Sequence, residues 1–303
     1  MSVPVVSIVL PTRNGAATLT PLLDAIASQR VDSSAELVVV DSSSTDGSEA
    51  LLRQRANVFI TIPPAAFNHG LTRNLAIEKS RGDLIVLTVQ DALPTSHEWL
   101  VALTAPLVRD ARVAGSFARQ LPRPDASPLA KRNLSRWVAA SAAPRTATLA
   151  GIDDLNAMDP AARLERCAFD NVCSCIRRSV WQQHPFRDVP IAEDLRWAKE
   201  VLLAGHRLAY APDATVVHSH ERSAQYEFDR TQLLHAQLYD LFDLQTIPSV
   251  PALVRAIAST IADHARVQPG FHGLELAVAW PLGQYLGARS AAQARRAFRA
   301  TMG

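Results

Sequence analysis

Apolar and polar positions follow two rhythms along the first third of the chain. Val5 to Leu10 is a run apolar at every position but Ser7 and stopped by Pro11, the pattern of a strand buried on both faces. From Thr18 to Gln29 the rhythm becomes helical, with Leu19, Leu22, Leu23 and Ile26 on one face. Glu36 to Val40 reads as a second strand, ended by Asp41 and a Ser/Thr/Gly turn. A helix beginning near Ser48 then leads to a short strand at Val58 to Ile62. Leu71 to Ser80 is helical in pattern, Gly82 breaks it, and Leu84 to Val89 is another apolar strand. Strands alternating with helices predict an α/β fold with a mostly parallel sheet flanked by helices.

Between Arg119 and about Asp159 the rhythm is lost. Pro122, Pro124, Pro128 and Pro144 punctuate a basic stretch with Lys131, Arg132 and Arg136, which predicts an irregular excursion with short helices. Phe169 to Ile176 reads as a strand and Leu195 to Leu203 as a helix closed by Gly205. Leu208 to Tyr210 and Thr215 to His218 read as two short strands. Beyond Arg222 the pattern is helical to the end, so the chain divides into residues 1–222 and a helical C-terminal extension, residues 223–303. The stripes Leu233, Leu234, Leu238, Leu241, Phe242 and Leu253, Ile257, Ile261 predict helix packing or a homodimer face. Leu276 to Leu286, with Trp280 and Tyr285 beside Arg289 and Arg295, suits a membrane interface.

Composition narrows the function. The chain has 303 residues, 48% hydrophobic and 20% charged, enough for a sizeable core. A net charge of +2 gives no ground for nucleic-acid binding. The apolar runs fall short of the roughly 18 residues of a membrane span, and Met1 to Leu10 lacks the basic start of a signal peptide. The expectation is a cytoplasmic protein that at most touches the inner face of the cell membrane. Cys167, Cys173 and Cys175 are expected to be buried free thiols, a poor set for zinc.

In an open parallel sheet, ligands bind beyond the carboxyl ends of the strands. Three such ends collect polar groups: Pro11-Thr12-Arg13-Asn14, Asp41 through Gly47, and Gln90-Asp91-Ala92. A carboxylate at Asp41 can accept from the ring N3–H of uracil or thymine, whereas Asp46 reads as a turn or cap residue. Period two places His218 and His220 on one face of a strand end. Glu193-Asp194 opens a helix, where negative charge is favoured.

Ser7 to Asn14 and Val38 to Gly47 together resemble the opening of family 2 glycosyltransferases. Phe67-Asn68-His69-Gly70-Leu71-Thr72-Arg73-Asn74 and Leu87 to Ala92 resemble the bacterial rhamnosyltransferase branch, as do Ala192 to Trp197, Tyr210-Ala211-Pro212 and His218-Ser219-His220. The likeness covers about residues 5 to 222 and implies a GT-A fold, that of nucleotide-diphospho-sugar transferases. It implies a donor site of Pro11, Thr12, Arg13, Asn14, Asp41, Asn68, His69, Arg73, Gln90 and Asp91. It also implies a divalent metal, Mg²⁺ or Mn²⁺, on Asp91 with His218 or His220. Many relatives carry Asp-x-Asp where this chain has Val89-Gln90-Asp91, so the metal role rests on Asp91 alone among the carboxylates there. Asp194 is the expected general base, with Glu193 raising its pKa, and Asn171, Arg177, Glu193 and Trp197 are expected near the acceptor.

The activity so implied is inverting transfer of a sugar, L-rhamnose from dTDP-rhamnose, to a glycan or lipid-linked acceptor in polysaccharide synthesis. Two other readings have less support. A sugar nucleotidylyltransferase would need a Gly-rich loop that Pro11-Thr12-Arg13-Asn14-Gly15 lacks. An inactive scaffold would be expected to have lost Asp91 or Asp194, and both are present.

Overall fold

The computed structural model describes residues 5–30, 35–267 and 270–302. The chain opens with β1 (Val6–Thr12), α1 (Ala16–Ala27), β2 (Glu36–Asp41), α2 (Ser48–Arg55), β3 (Val58–Thr61), α3 (His69–Lys79) and β4 (Leu84–Thr88). It continues through β5 (Leu93–Pro94), α4 (Trp99–Arg109), β6 (Val113–Leu121), α5 (Pro128–Ser135), β7 (Arg145–Ala147), α6 (Ile152–Ala157) and α7 (Pro160–Arg166). Then come β8 (Cys173–Arg177), α8 (Arg178–Gln183), α9 (Glu193–Leu203) and β9 (Arg207–Val217). Three helices close the chain: α10 (Ala224–Phe242), α11 (Val250–Val267) and α12 (Phe271–Met302).

One sheet runs β3-β2-β1-β4-β8-β6-β9-β5, with β7 also pairing β9. The first four strands are parallel, as their apolar runs predict. The second half is mixed, because β8 lies antiparallel between β4 and β6 while β6 and β9 are parallel. Alternation along the strands divides the core. Val9, Val38, Val40, Ile85 and Leu87 pack on one face with α9, and Ile8, Leu10, Val39 and Val86 on the other with α1 and α4.

Several expected boundaries move. β1 continues through Pro11 to Thr12, since pairing with β4 ends at Val9 and a residue without an N–H is tolerated beyond it. The strand expected from Phe169 starts only at Cys173, leaving residues 169–172 as a loop. The two short strands near the end of this region are one, β9, with an irregularity where Ala118 faces Ala211 and Arg119 faces Thr215. The excursion holds the expected short helices but also contributes β7 to the sheet.

The three cysteines are buried free thiols, and burial pushes Cys167 and Cys173 up to about 12. In the C-terminal region α12 packs along α10. Gly283 and Gly287 allow the close approach: a Cβ at Gly283 would lie 2.9 Å from the Phe228 carbonyl oxygen. The stretch expected at a membrane interface is largely internal. Leu276 and Tyr285 are buried, and the half-buried Trp280 donates its Nε1–H to Glu227 at 3.0 Å. The apolar residues that α12 exposes are instead Phe271, Leu274, Val278 and Phe298. Among the described residues no helix is long and apolar enough to cross a membrane.

Candidate active site

The three parallel-strand ends are stitched to one another. Gln90, just past β4, accepts from the Thr12 hydroxyl at 2.7 Å and the Arg13 N–H at 2.8 Å, and donates to the Arg13 carbonyl at 3.0 Å. Asn14 receives the Thr45 N–H on Oδ1, and its own N–H goes to the Ser44 hydroxyl. Asn14 and Ser43 both sit at positive φ, 49° and 56°, and the mesh of bonds together with the Ser43 hydroxyl on the Ile62 carbonyl supports that conformation. Asp46 accepts from Ala16 N at the start of α1 and from Ser48 N at the start of α2, so it caps both, as the turn reading expects.

Asp41 departs from its expected part. It is wholly buried, and its two oxygens receive the Ser44 N–H at 2.8 Å and the Ser44 hydroxyl at 2.5 Å. As placed, both its oxygens are engaged in shaping the turn. Asn68 is likewise spent on structure. Its Oδ1 caps α3 by accepting from Gly70 and Leu71, and its Nδ2 donates to Asp188 and the Val189 carbonyl, leaving no spare hydrogen. Pro11 is half-buried beside these turns, and His69 stands exposed at the first position of α3, its ring edge-on to Phe67.

Across the sheet, β9 carries His218 and His220 to Asp91. His218 Nε2 lies 3.8 Å from one Asp91 oxygen and His220 Nδ1 lies 3.3 Å from the other. One ligand atom from each of the three residues lies within 4.8 Å of the other two, a set that fits a divalent cation. The histidines are held neutral, as ligation requires. Burial depresses the pKa of His218 more than Asp91 raises it, and burial together with His218 pushes His220 down to about 4. Arg222 donates to His220 Nδ1 at 3.3 Å, so that nitrogen carries a lone pair. The positive charge of Arg230, on α10, is felt at His69, Asp170, His218 and His220.

A second acidic group lies at the start of α9. Ala192, just before it, takes a left-handed conformation (φ 63°), a strain that fixes where Glu193 and Asp194 leave the backbone. Glu193 is buried in an ion pair with Arg73 at 2.7 Å, and Asn171 Nδ2 adds a bond at 3.3 Å. Arg73 also donates to the His69 and Asn171 carbonyls, so both members of the pair are enclosed. Among the described residues Asp194 has no cation partner. It is half-buried and accepts from Leu195 N at 2.8 Å and Asn171 N at 3.3 Å. Desolvation first, then the negative charges of Glu193 and Asp170, raise its pKa to about 8.

The structure therefore sorts the expected residues. It gathers Asp91, His218 and His220, with Thr12, Arg13, Asn14 and Gln90 at the neighbouring strand ends. It places Arg73, Asn171, Glu193 and Trp197 in the packed layer beneath. Trp197 is 1% exposed and donates to the His184 carbonyl, out of reach of an acceptor. Arg177 is misplaced by the expectation, because it pairs with Leu84 at the opposite end of β4 from Thr88 and donates to the Leu107 carbonyl. Two residues escaped sequence reading, Gln120 and Asp170. Asp170 accepts from Gln120 at 2.7 Å, Trp137 at 2.8 Å and Val172 N at 2.9 Å. An acidic residue inside a segment read as a strand gives no local signal of such a role.

A sheet of this order, with polar groups gathered beyond its strand ends, is the architecture of the GT-A fold. The solved mannosyltransferase PcManGT from Pyrobaculum calidifontis, in complex with GDP-Man and Mn²⁺, shares the fold with a TM-score of 0.56 and 23% identity, over 98% of this chain and 79% of that one. Residues 7–159 match Glycosyl transferase family 2. The O-antigen chain rhamnosyltransferase WbaN of Salmonella anatum is 32% identical over 243 residues, 77% of this chain and 73% of its own length. RfbN of Salmonella typhimurium, also an O-antigen chain rhamnosyltransferase, is 32% identical over 241 residues. The chain belongs to glycosyltransferase family 2.

Proposed function

We propose that this glycosyltransferase inverts the anomeric centre as it moves L-rhamnose from dTDP-rhamnose to a glycan or lipid-linked acceptor during cell-surface polysaccharide synthesis. One observation carries the reading. A half-buried carboxylate without a cation partner among the described residues, Asp194, feels the charge of Asp170, whose partner Gln120 bonds His218 of a separate cluster, Asp91, His218 and His220, suited to a divalent cation. Rhamnose as the sugar and a polysaccharide acceptor are supported by the names of the relatives.

Asp91, His218 and His220 would hold the cation, and two imidazole nitrogens suit Mn²⁺ better than Mg²⁺. When bound, it would offset the charge that builds on the departing nucleoside diphosphate. Arg222 and Arg230 bring further positive charge to the same space. Thr12, Arg13, Asn14 and Gln90 line the strand ends where the nucleoside would lie. Asp194 takes the proton of the acceptor hydroxyl as that oxygen bonds to the anomeric carbon. The bond from that carbon to the diphosphate breaks, and its electron pair leaves with the diphosphate. Phe271, Leu274 and Val278, exposed along α12, would serve a lipid-linked acceptor at the inner membrane face.

The test is a donor screen read as nucleoside diphosphate release, with and without chelator. dTDP-rhamnose is expected to be hydrolysed slowly, with Mn²⁺ restoring the rate after chelation. Turnover of UDP-hexoses with no response to dTDP-rhamnose would overturn the donor assignment.

A further inference from the structure

Behind the candidate cation cluster runs a chain of bonds in which each partner fixes the orientation of the next. Asp170 receives the Trp137 indole N–H on Oδ2 at 2.8 Å and the Val172 backbone N–H on Oδ1 at 2.9 Å. Both are donors only, one on each oxygen, which marks Asp170 as the acceptor in its contacts. Gln120 approaches that same Oδ2 at 2.7 Å, and to an ionised Asp170, which only accepts, it presents its Nε2–H₂. With the amide so oriented, its Oε1 faces His218 Nδ1 at 3.0 Å, and an oxygen there can only accept. His218 Nδ1 then carries the hydrogen. The lone pair of the neutral ring is left on Nε2, the nitrogen directed at Asp91.

We propose that Gln120 and Asp170 are positioning residues that hold His218 as its Nδ1–H tautomer and so present the Nε2 lone pair to a divalent cation beside Asp91. The cation rests on the functional reading above, whereas the tautomer rests only on the bonds described here. Asp170, Trp137 and Val172 are half-buried, and the two groups nearest the cluster are buried: Gln120 is 5% exposed and His218 8%. A wrong tautomer would set an N–H against the cation and leave a lone pair against a carbonyl-type oxygen, both buried and both costly. Trp137 comes from the Pro-rich excursion, and Tyr210 pins the adjoining segment through the Ala139 and Ser141 carbonyls. That gives the excursion a defined part, clamping Asp170 from one side.

The direct readout is long-range ¹H–¹⁵N correlation on ¹⁵N-histidine protein, with His218 identified by the signals lost in His218→Gln. At pH 7.5 the wild-type ring is expected as the Nδ1–H tautomer. An Nε2–H ring with Nδ1 accepting would overturn the proposal whatever the protein does with metals. The second readout is Mn²⁺ affinity, followed by the electron-spin signal of the free ion. Gln120→Leu, which removes the acceptor, is expected to weaken binding about 10- to 100-fold. Gln120→Glu keeps an oxygen against Nδ1, with a proton held between its second oxygen and Asp170 in place of the amide hydrogen, and is expected to keep the tautomer. Equal affinities in wild type and a folded Gln120→Leu would overturn the proposal. A wild-type protein with the Nδ1–H ring and no Mn²⁺ binding would instead sink the cation reading and leave the tautomer assignment standing.

Discussion

The Arg73–Glu193 pair and the Asp91–His218–His220 cluster are built from similar residue types and differ in one respect. In the first, a buried guanidinium meets a carboxylate at 2.7 Å, and the His69 and Asn171 carbonyls each take one more of its hydrogens. In the second, a half-exposed carboxylate faces two neutral rings that carry no compensating charge. The buried pair spends its charges on each other, and its removal is felt in stability. The open cluster keeps the Asp91 oxygens and the His218 Nε2 lone pair free of a donor among the described residues, and its removal is felt in binding. Glu193 and Asp194 show the same division between neighbours in sequence, one neutralised by Arg73 and the other left without a cation among the described residues.

Three experiments sharpen or break that contrast, in order of expected size. Arg73→Met should leave Glu193 buried and unpaired and cost about 3–5 kcal/mol in urea unfolding. Adding Glu193→Leu should return much of the loss, and a single variant as stable as wild type would show the pair is not closed. The pH dependence of kcat/KM comes next. Asp194 accepts a proton only when ionised, so the rate should climb about tenfold per pH unit and level off near pH 8. Stability should move the opposite way. The folded protein binds this proton more tightly than the unfolded chain, so the contribution is complete below the ordinary carboxylate pKa. It is lost as pH rises through about 8. A rate independent of pH between 6 and 8 would remove Asp194 from the proton step. The smallest effect is expected from Arg177→Gln, at the far end of β4, with acceptor KM changed less than about twofold. A large rise in KM would restore Arg177 to the acceptor side.

How much was legible in the sequence follows from how local each signal is. β1, β2 and β4 are apolar runs flanked by turns, and all three stand where the pattern puts them. β6 was not picked out. It is buried along most of its length and mixes Gly115, Ser116 and Arg119 with apolar residues, so neither an unbroken run nor an alternation marks it. The three-residue β7 is too short for any period. Asp91 and His218 could be singled out because each follows a recognisable strand. Gln120 and Asp170 could not, since their partners lie 98 and 50 residues away and no local spacing links them. Asn68, Arg73 and Asp41 sit in the right motifs but turn inward, a matter of side-chain direction on which a motif is silent.

The most direct test compares Asp194→Asn with wild type in two assays on the same protein, Mn²⁺-dependent binding of dTDP-rhamnose and transfer to acceptor. If proton acceptance and cation holding belong to separate groups, transfer falls about 10³-fold while donor binding stays within twofold of wild type. Full transfer by Asp194→Asn, or a matching loss of donor binding, would contradict that separation.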